Sequence, residues 1–148
     1  MKFLTIKKKL LNHLTKNGEK KTSEKILSKS LKKLQKTSIK PTKEILQTAL
    51  ISSTPIFKIH IIENKKQRKK NRKIKKIPYF ITNNIFRISL AIKFIIKALQ
   101  NKSKPFYNKF EAELLLISQQ KGETLNIKKD LQKQVIINKK YFNFYKWR

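Results

Sequence analysis

A net charge of +30 limits what this 148-residue chain can fold into more than any other property of its sequence. Lys and Arg number 38 against 8 Asp and Glu, and the excess runs through every part of the chain. Self-repulsion on that scale opposes a compact isolated fold, so a permanent polyanionic partner that binds the folded state is the economical explanation. RNA, DNA and an anionic membrane are the three candidates. The apolar fraction of 39% lies below the usual globular level but well above that of a disordered chain, and the length suits one domain over residues 1–148. A small core is within reach.

Only two glycines, Gly18 and Gly122, and four prolines, Pro41, Pro55, Pro78 and Pro105, interrupt the sequence, which favours long helices over a turn-rich sandwich. Ala is scarce while Lys, Ile, Asn, Phe and Leu abound. Codons rich in adenine and thymine specify these residues, which points to an organelle or parasite genome. The absence of cysteine excludes disulfides and thiolate metal sites. Lys93 and Lys97 interrupt the most apolar stretch, Ile85 to Leu99, so no membrane span is expected. Met1 to Lys16 is acid-free and amphipathic, as a transit peptide would be. It lacks Arg and runs directly into a helical pattern, so it reads as a first structural helix.

Apolar spacing predicts about six helices and one hairpin. Leu4, Leu10, Leu11 and Leu14 mark the first helix, stopped by Asn17-Gly18. Thr22 or Ser23 is the expected N-cap of a second, with Glu24 in its first turn and Leu27, Leu31 and Leu34 as its stripe. A third follows Pro41, capped by Thr42, and carries Ile45, Leu46, Ala49 and Leu50 as far as Ser52-Ser53-Thr54-Pro55. Ile56–Ile62 and Ile74–Ile81 are β-branched and apolar around a basic run, which reads as two antiparallel strands of an arm over about 56–81. A fourth helix, opened by Asn83 or Asn84, has Ile85, Ile88, Ile92, Ile95 and Leu99 at steps of three and four and is the expected core helix. Phe106, Phe110, Leu114 and Ile117 define a fifth helix, closed by Gln120-Lys121-Gly122; Ile127, Leu131 and Val135 define a sixth. The aromatic tail Tyr141–Phe144 is expected to pack on the fourth and fifth helices. Trp147 is open between packing and stacking on an unpaired base.

Catalysis needs converging groups, and few are present. His13 and His60 are far apart in the pattern, and Asp130 is the single aspartate. Glu111 and Glu113, two apart on a helix, point to different sides and cannot form an acid–base pair. No phosphate-cradling glycine loop, nucleophile elbow or zinc spacing occurs, so the chain reads as non-enzymatic and without cofactors. Electrostatic binding is what its residues can do. If about a dozen cations neutralise phosphates, affinity falls with log salt at a slope of about −10. Lys65, Lys66, Arg68, Lys69, Lys70, Arg72, Lys73, Lys75 and Lys76 form the densest run, free of acids, an arm suited to a channel lined with phosphates.

With these elements in order, the chain resembles a known family. Leu11-Asn12-His13-Leu14-Thr15-Lys16-Asn17-Gly18-Glu19-Lys20-Lys21, followed by Ser23-Glu24-Lys25-Ile26, is similar to the N-terminal run of small-subunit ribosomal protein seven, the universal S-seven family. Glu113-Leu114-Leu115, Gly122, Lys128-Lys129, Asp130, Asn138 and Tyr145-Lys146-Trp147 fall in the order of that family's C-terminal half. Departures lie at the hairpin, where Glu63, Asn64 and a lysine run replace two arginines and a glycine pair. Before the fourth helix, Asn83, Asn84 and Arg87 stand for a proline and paired arginines. Phe94 stands for a tryptophan, and the basic N-terminal arm is nearly absent.

The resemblance implies a primary rRNA binder that nucleates assembly of the small subunit's head. Its hairpin would lie near exit-site tRNA and mRNA, beside ribosomal protein eleven, with no membrane contact and no homo-oligomer. The expected RNA-binding residues are Lys7, Lys8, Lys9, Lys16, Lys20 and Lys21 near the first two helices, the hairpin cations above, and Arg87, Lys102 and Lys104. Lys128, Lys129, Lys146, Trp147 and Arg148 complete the set. Base bias and the lack of a clear presequence point to an organelle-encoded copy, with the mitochondrion ahead of the plastid. The charge alone is equally served by a free nucleic-acid-binding or DNA-compacting protein, and basic amphipathic helices by a membrane surface.

Overall fold

A computed structural model describes residues 3–15, 17–63, 74–100 and 105–144. In chain order their elements are α1 (Phe3–Leu14), α2 (Lys20–Thr37), α3 (Thr42–Ser53), β1 (Phe57–Glu63), β2 (Ile74–Phe80), α4 (Asn84–Gln100), α5 (Phe106–Ser118) and α6 (Glu123–Ile137). A short 3₁₀ helix, Lys139–Phe144, follows. The mainly α architecture, with its antiparallel hairpin after the third helix, matches the expectation from apolar spacing.

The core is organised around α4, which packs against α1, α3, α5 and α6. Ala91, Ile92, Ile95, Ala98 and Leu99 are all buried, as steps of three and four along one face require. Leu10, Leu27, Leu34, Leu46, Phe110, Leu114 and Ile117 close around them. Burial of each such side chain stabilises the fold by about 1.5–3 kcal/mol. Ile85 departs from the expected stripe and is 57% exposed. The first turn of α4 lies at the hairpin root, where Ile85 borders an open groove instead of a neighbouring helix.

Two helix starts differ from the sequence reading. Asn17 and Gly18, at φ 52° and 78°, reverse the chain so tightly that α2 begins at Lys20. Ser23, expected as a cap, is therefore inside the helix, buried, with its hydroxyl donating to Glu19 O at 3.1 Å. At α3 the cap position falls to Pro41, whose ring presets φ at −62°, and Thr42 becomes the first helical residue. At α4 the expectation holds: Asn83 Oδ1 accepts the Ile85 N–H at 2.8 Å.

Glu111 and Glu113 leave α5 in the different directions that their spacing demands, and both are buried. Glu111 faces α2, with Oε2 3.0 Å from Lys33 Nζ and Oε1 accepting the Thr37 hydroxyl at 2.9 Å. Glu113 faces the start of α6. Its Oε1 accepts both the N–H of Thr124, at 2.9 Å, and its hydroxyl, at 2.8 Å, so a carboxylate satisfies a first-turn amide and opposes the helix dipole. Gly122, at φ 112°, makes this corner possible. A Cβ there would stand 2.9 Å from the same Glu113 oxygen.

In the hairpin Phe57 pairs with Phe80 and Glu63 with Ile74. Ile81 donates to Ile56 O at 3.0 Å, so hydrogen-bonded pairs alternate from that point and Ile59–Pro78 falls on a pair without ladder bonds. Pro78 therefore removes no ladder bond; its missing N–H faces outward. The tail does not pack where the sequence reading placed it. α6 delivers the 3₁₀ helix alongside β2, and Phe142 meets Phe57 at 5.8 Å, with Phe57 in edge contact with Phe80 at 5.9 Å. Tyr141 and Phe142 are half-buried at the hairpin root, away from the centre of the bundle.

Candidate nucleic-acid interface

Among the described residues, the side chains expected to bind RNA, Lys129 aside, fall into three environments. The first is the junction of α1 and α2. The reversal at Asn17-Gly18 folds α2 back beside α1. The apolar stripes, including Leu11 and Leu27, seal the seam, which leaves lysines on the outside. Lys7, Lys8 and Lys20 line one open groove of about 360 Å³ there, and Glu24 is the acid that joins them. Lys21 is exposed one residue further along α2. The lining of this groove thus carries three lysines against one glutamate.

The second environment is internal. Lys9 Nζ donates to Ile85 O at 3.3 Å, joining α1 to the start of α4. Arg87 Nε donates to Pro55 O at 3.1 Å, and Lys128 Nζ donates to Ser52 O at 2.6 Å, in the last turn of α3. Cations at a helix C-terminus satisfy its free carbonyls and oppose its dipole. Burial pushes the Lys128 ammonium below the usual lysine value, and the charge of Arg87 adds to that. These cations tie α1 to α4, α4 to the segment after α3, and α6 to α3, a use that sequence reading did not separate from RNA contact. No pattern in the sequence marks a lysine whose partner is a backbone carbonyl distant in the chain.

The third environment is the hairpin, where Lys75 and Lys76 are exposed opposite Ile62 and Ile61, on alternate faces of β2. At its root Lys58 Nζ stands 5.1 Å from the centre of the Phe86 ring, a cation–π contact that ties β1 to α4. Lys129 is exposed on α6. Lys16, Lys65, Lys66, Arg68, Lys69, Lys70, Arg72, Lys73, Lys102, Lys104, Lys146, Trp147 and Arg148 lie outside the described residues.

Among the described residues no group of His, Asp and Glu is arranged to hold a metal ion. No helix among them is long and apolar enough to cross a membrane. His13 is half-buried; burial, and then Lys93 and Lys9, push its imidazole below its usual value.

Comparison with known proteins gives the family. Small ribosomal subunit protein uS7 of Roseiflexus castenholzii is 24% identical over 135 residues, which cover 90% of this chain and 82% of that protein. Small ribosomal subunit protein uS7c of Euglena gracilis is 26% identical over 140 residues, 94% of this chain and 85% of that protein. The uS7c of Tetradesmus obliquus is 25% identical over 135 residues, 90% and 77% respectively. Residues 3–139 match the family described as ribosomal protein S7p/S5e, from the first residues of α1 to the start of the 3₁₀ helix. A match of that extent means that the chain belongs to the ribosomal protein S7p/S5e family, a structural and non-enzymatic one.

Proposed function

We propose that this protein is a primary rRNA binder that nucleates assembly of the head of the small ribosomal subunit in an organelle, the mitochondrion ahead of the plastid. Its partners are small-subunit rRNA, exit-site tRNA and mRNA near the hairpin, and neighbouring ribosomal proteins including ribosomal protein eleven. The observation that carries this reading is the lysine-lined groove between α1 and α2 in a chain of this family. Lys7, Lys8, Lys20 and Lys21 take phosphates of folded rRNA by charge and shape. The hairpin cations, with Lys102, Lys104, Lys129 and the C-terminal Lys146 and Arg148, extend the contact. The organellar assignment rests on the composition that adenine- and thymine-rich codons impose.

Sedimentation of a native lysate and of purified organelles tests it. The protein is expected to travel with the small subunit in moderate salt; a protein running free of the subunit overturns the reading. A folded rRNA fragment is expected to bind in preference to duplex DNA of equal length. Equal binding would mark a free nucleic-acid-binding protein instead. Replacing Lys7, Lys8, Lys20 and Lys21 with Gln should reduce the salt slope of rRNA binding by about 3–4 in all, near one for each phosphate contact.

A further inference from the structure

A second groove, of about 550 Å³, opens where α1, α3 and the first turn of α4 meet. Its floor is aliphatic, built from Ile6, Leu50 and Ile88, with Ile51 and Ile85 at the rim 72% and 57% exposed. Four polar side chains line it, Gln47 and Thr54 from α3 and its C-cap and Asn84 and Arg87 from α4; the Thr54 hydroxyl already donates to Ile51 O at 2.7 Å. Among the described residues the carboxamides of Gln47 and Asn84 make no hydrogen bond. Arg87 is different: its bond to Pro55 O anchors one edge of the guanidinium plane at the groove wall. No Asp or Glu lines the groove among the described residues.

These groups discriminate between ligands. A phosphate would use Arg87 and leave the aliphatic floor bare. An apolar peptide side chain would use the floor but would strip water from two carboxamides and a guanidinium without replacing their hydrogen bonds. A nucleobase uses all of them. Its ring face lies on apolar or guanidinium surface, and its edge offers the adjacent donor and acceptor that a carboxamide matches. The acid-free lining and the charge of +30 favour the polyanion that carries such a base.

We propose that this groove takes one unstacked nucleobase of RNA, with Gln47 and Asn84 reading its edge and Arg87 against its ring. The site rests on the rRNA-binding reading above and adds a sequence-reading contact to an otherwise phosphate-based interface. It lies apart from the lysine groove, to which only α1 contributes in common.

The test uses the full chain and the four nucleosides, which carry no phosphate. In methyl-resolved NMR, Ile51, Ile85 and Ile88 are expected to shift together and saturably with at least one nucleoside at millimolar concentration. The double variant Gln47→Leu, Asn84→Leu should abolish this while keeping its helical circular dichroism, since neither side chain is in the core. Absence of shifts with all four nucleosides, or an unchanged titration in the variant, overturns the site. With a small-subunit rRNA fragment the same variant should lose about tenfold in affinity at an unchanged salt slope, the loss of one base contact without loss of a phosphate contact. If the wild-type chain fails to bind rRNA, the proposed function falls; if it binds and the variant binds equally, only the groove assignment falls. A photo-reactive residue at position 51 in assembled particles is expected to cross-link to RNA, and cross-linking to a protein instead overturns the nucleobase.

Discussion

The corner between α5 and α6 makes the sharpest test of how this fold is held. Replacing Gly122 with Ala imposes two separable costs. A side chain at φ 112° strains the backbone, at about 1–3 kcal/mol. The new Cβ, 2.9 Å from Glu113 Oε1, also drives a fully buried carboxylate away from its two Thr124 donors, at about 1–3 kcal/mol more. Gly122→Ala should therefore destabilise by roughly 2–6 kcal/mol, a fall in melting midpoint of about 5–20 °C for a chain of this size. Glu113→Ala leaves the buried Thr124 amide and hydroxyl without that acceptor and opens a cavity, for roughly 3–5 kcal/mol. In the double variant the oxygen that Cβ would strike is gone, and only the backbone strain remains. The double variant should thus fall short of the sum of the singles by about 1–3 kcal/mol. Urea unfolding followed by far-UV circular dichroism, at fixed salt, measures all three. Costs that add to within about 0.5 kcal/mol would refute the argument that Gly122 exists to admit Glu113.

Lys33→Met should cost about 1–2 kcal/mol in the same assay, because the nearly buried Glu111 keeps the Thr37 hydroxyl but loses its ion pair with a lysine that is itself 43% exposed. Thr37→Val, which removes the hydroxyl instead, should cost about 1 kcal/mol. His13 is held below its usual 6.5 by burial, and then by Lys93 and Lys9. The unfolded chain therefore binds this proton more readily, and the contribution of the neutral imidazole is complete above about pH 6.5 and lost as pH falls through that value toward the folded one. Thermal midpoints from pH 7.5 to 5 should decline more in the wild type than in His13→Gln, and equal slopes would contradict this. Replacing Lys65, Lys66, Arg68, Lys69, Lys70, Arg72 and Lys73 with Gln should leave helical circular dichroism unchanged and reduce incorporation into small subunits; a loss of helix would assign the run a structural role.

Apolar spacing disclosed the helices because most of them bury a stripe; in α4 the expected Ile92, Ile95 and Leu99 are buried, whereas in α6 only Val135 of the expected Ile127, Leu131 and Val135 is. The strands were legible for a similar reason, as β-branched runs on either side of an acid-free basic stretch. Long-range polar pairing was not legible. Lys128 and Arg87 look like any other basic residues of this chain, yet their partners are carbonyls of Ser52 and Pro55, brought near only by the packing of α3 against α4 and α6. The destination of the tail was hidden likewise, since Phe142 is equally suited to any apolar surface and the direction of α6 decides which one it reaches. Of the candidate site, the lysines of α1 and α2 were legible singly. Their convergence on one groove depends on the tight reversal at Asn17-Gly18, and the Gln47–Asn84 groove carries no local signature at all.

Pro78 bears on the life of the chain before it meets RNA. A two-stranded hairpin exposes two edges, and newly made copies waiting for their polyanion could join edge to edge into fibrous aggregates. At the middle of β2 the outward donor is missing, so a second copy cannot zip along that side. β1 has no proline, and its outward groups belong to Phe57, Ile59 and Ile61. Proline thus guards the β2 side alone, and on β1 that protection falls to mutual charge repulsion.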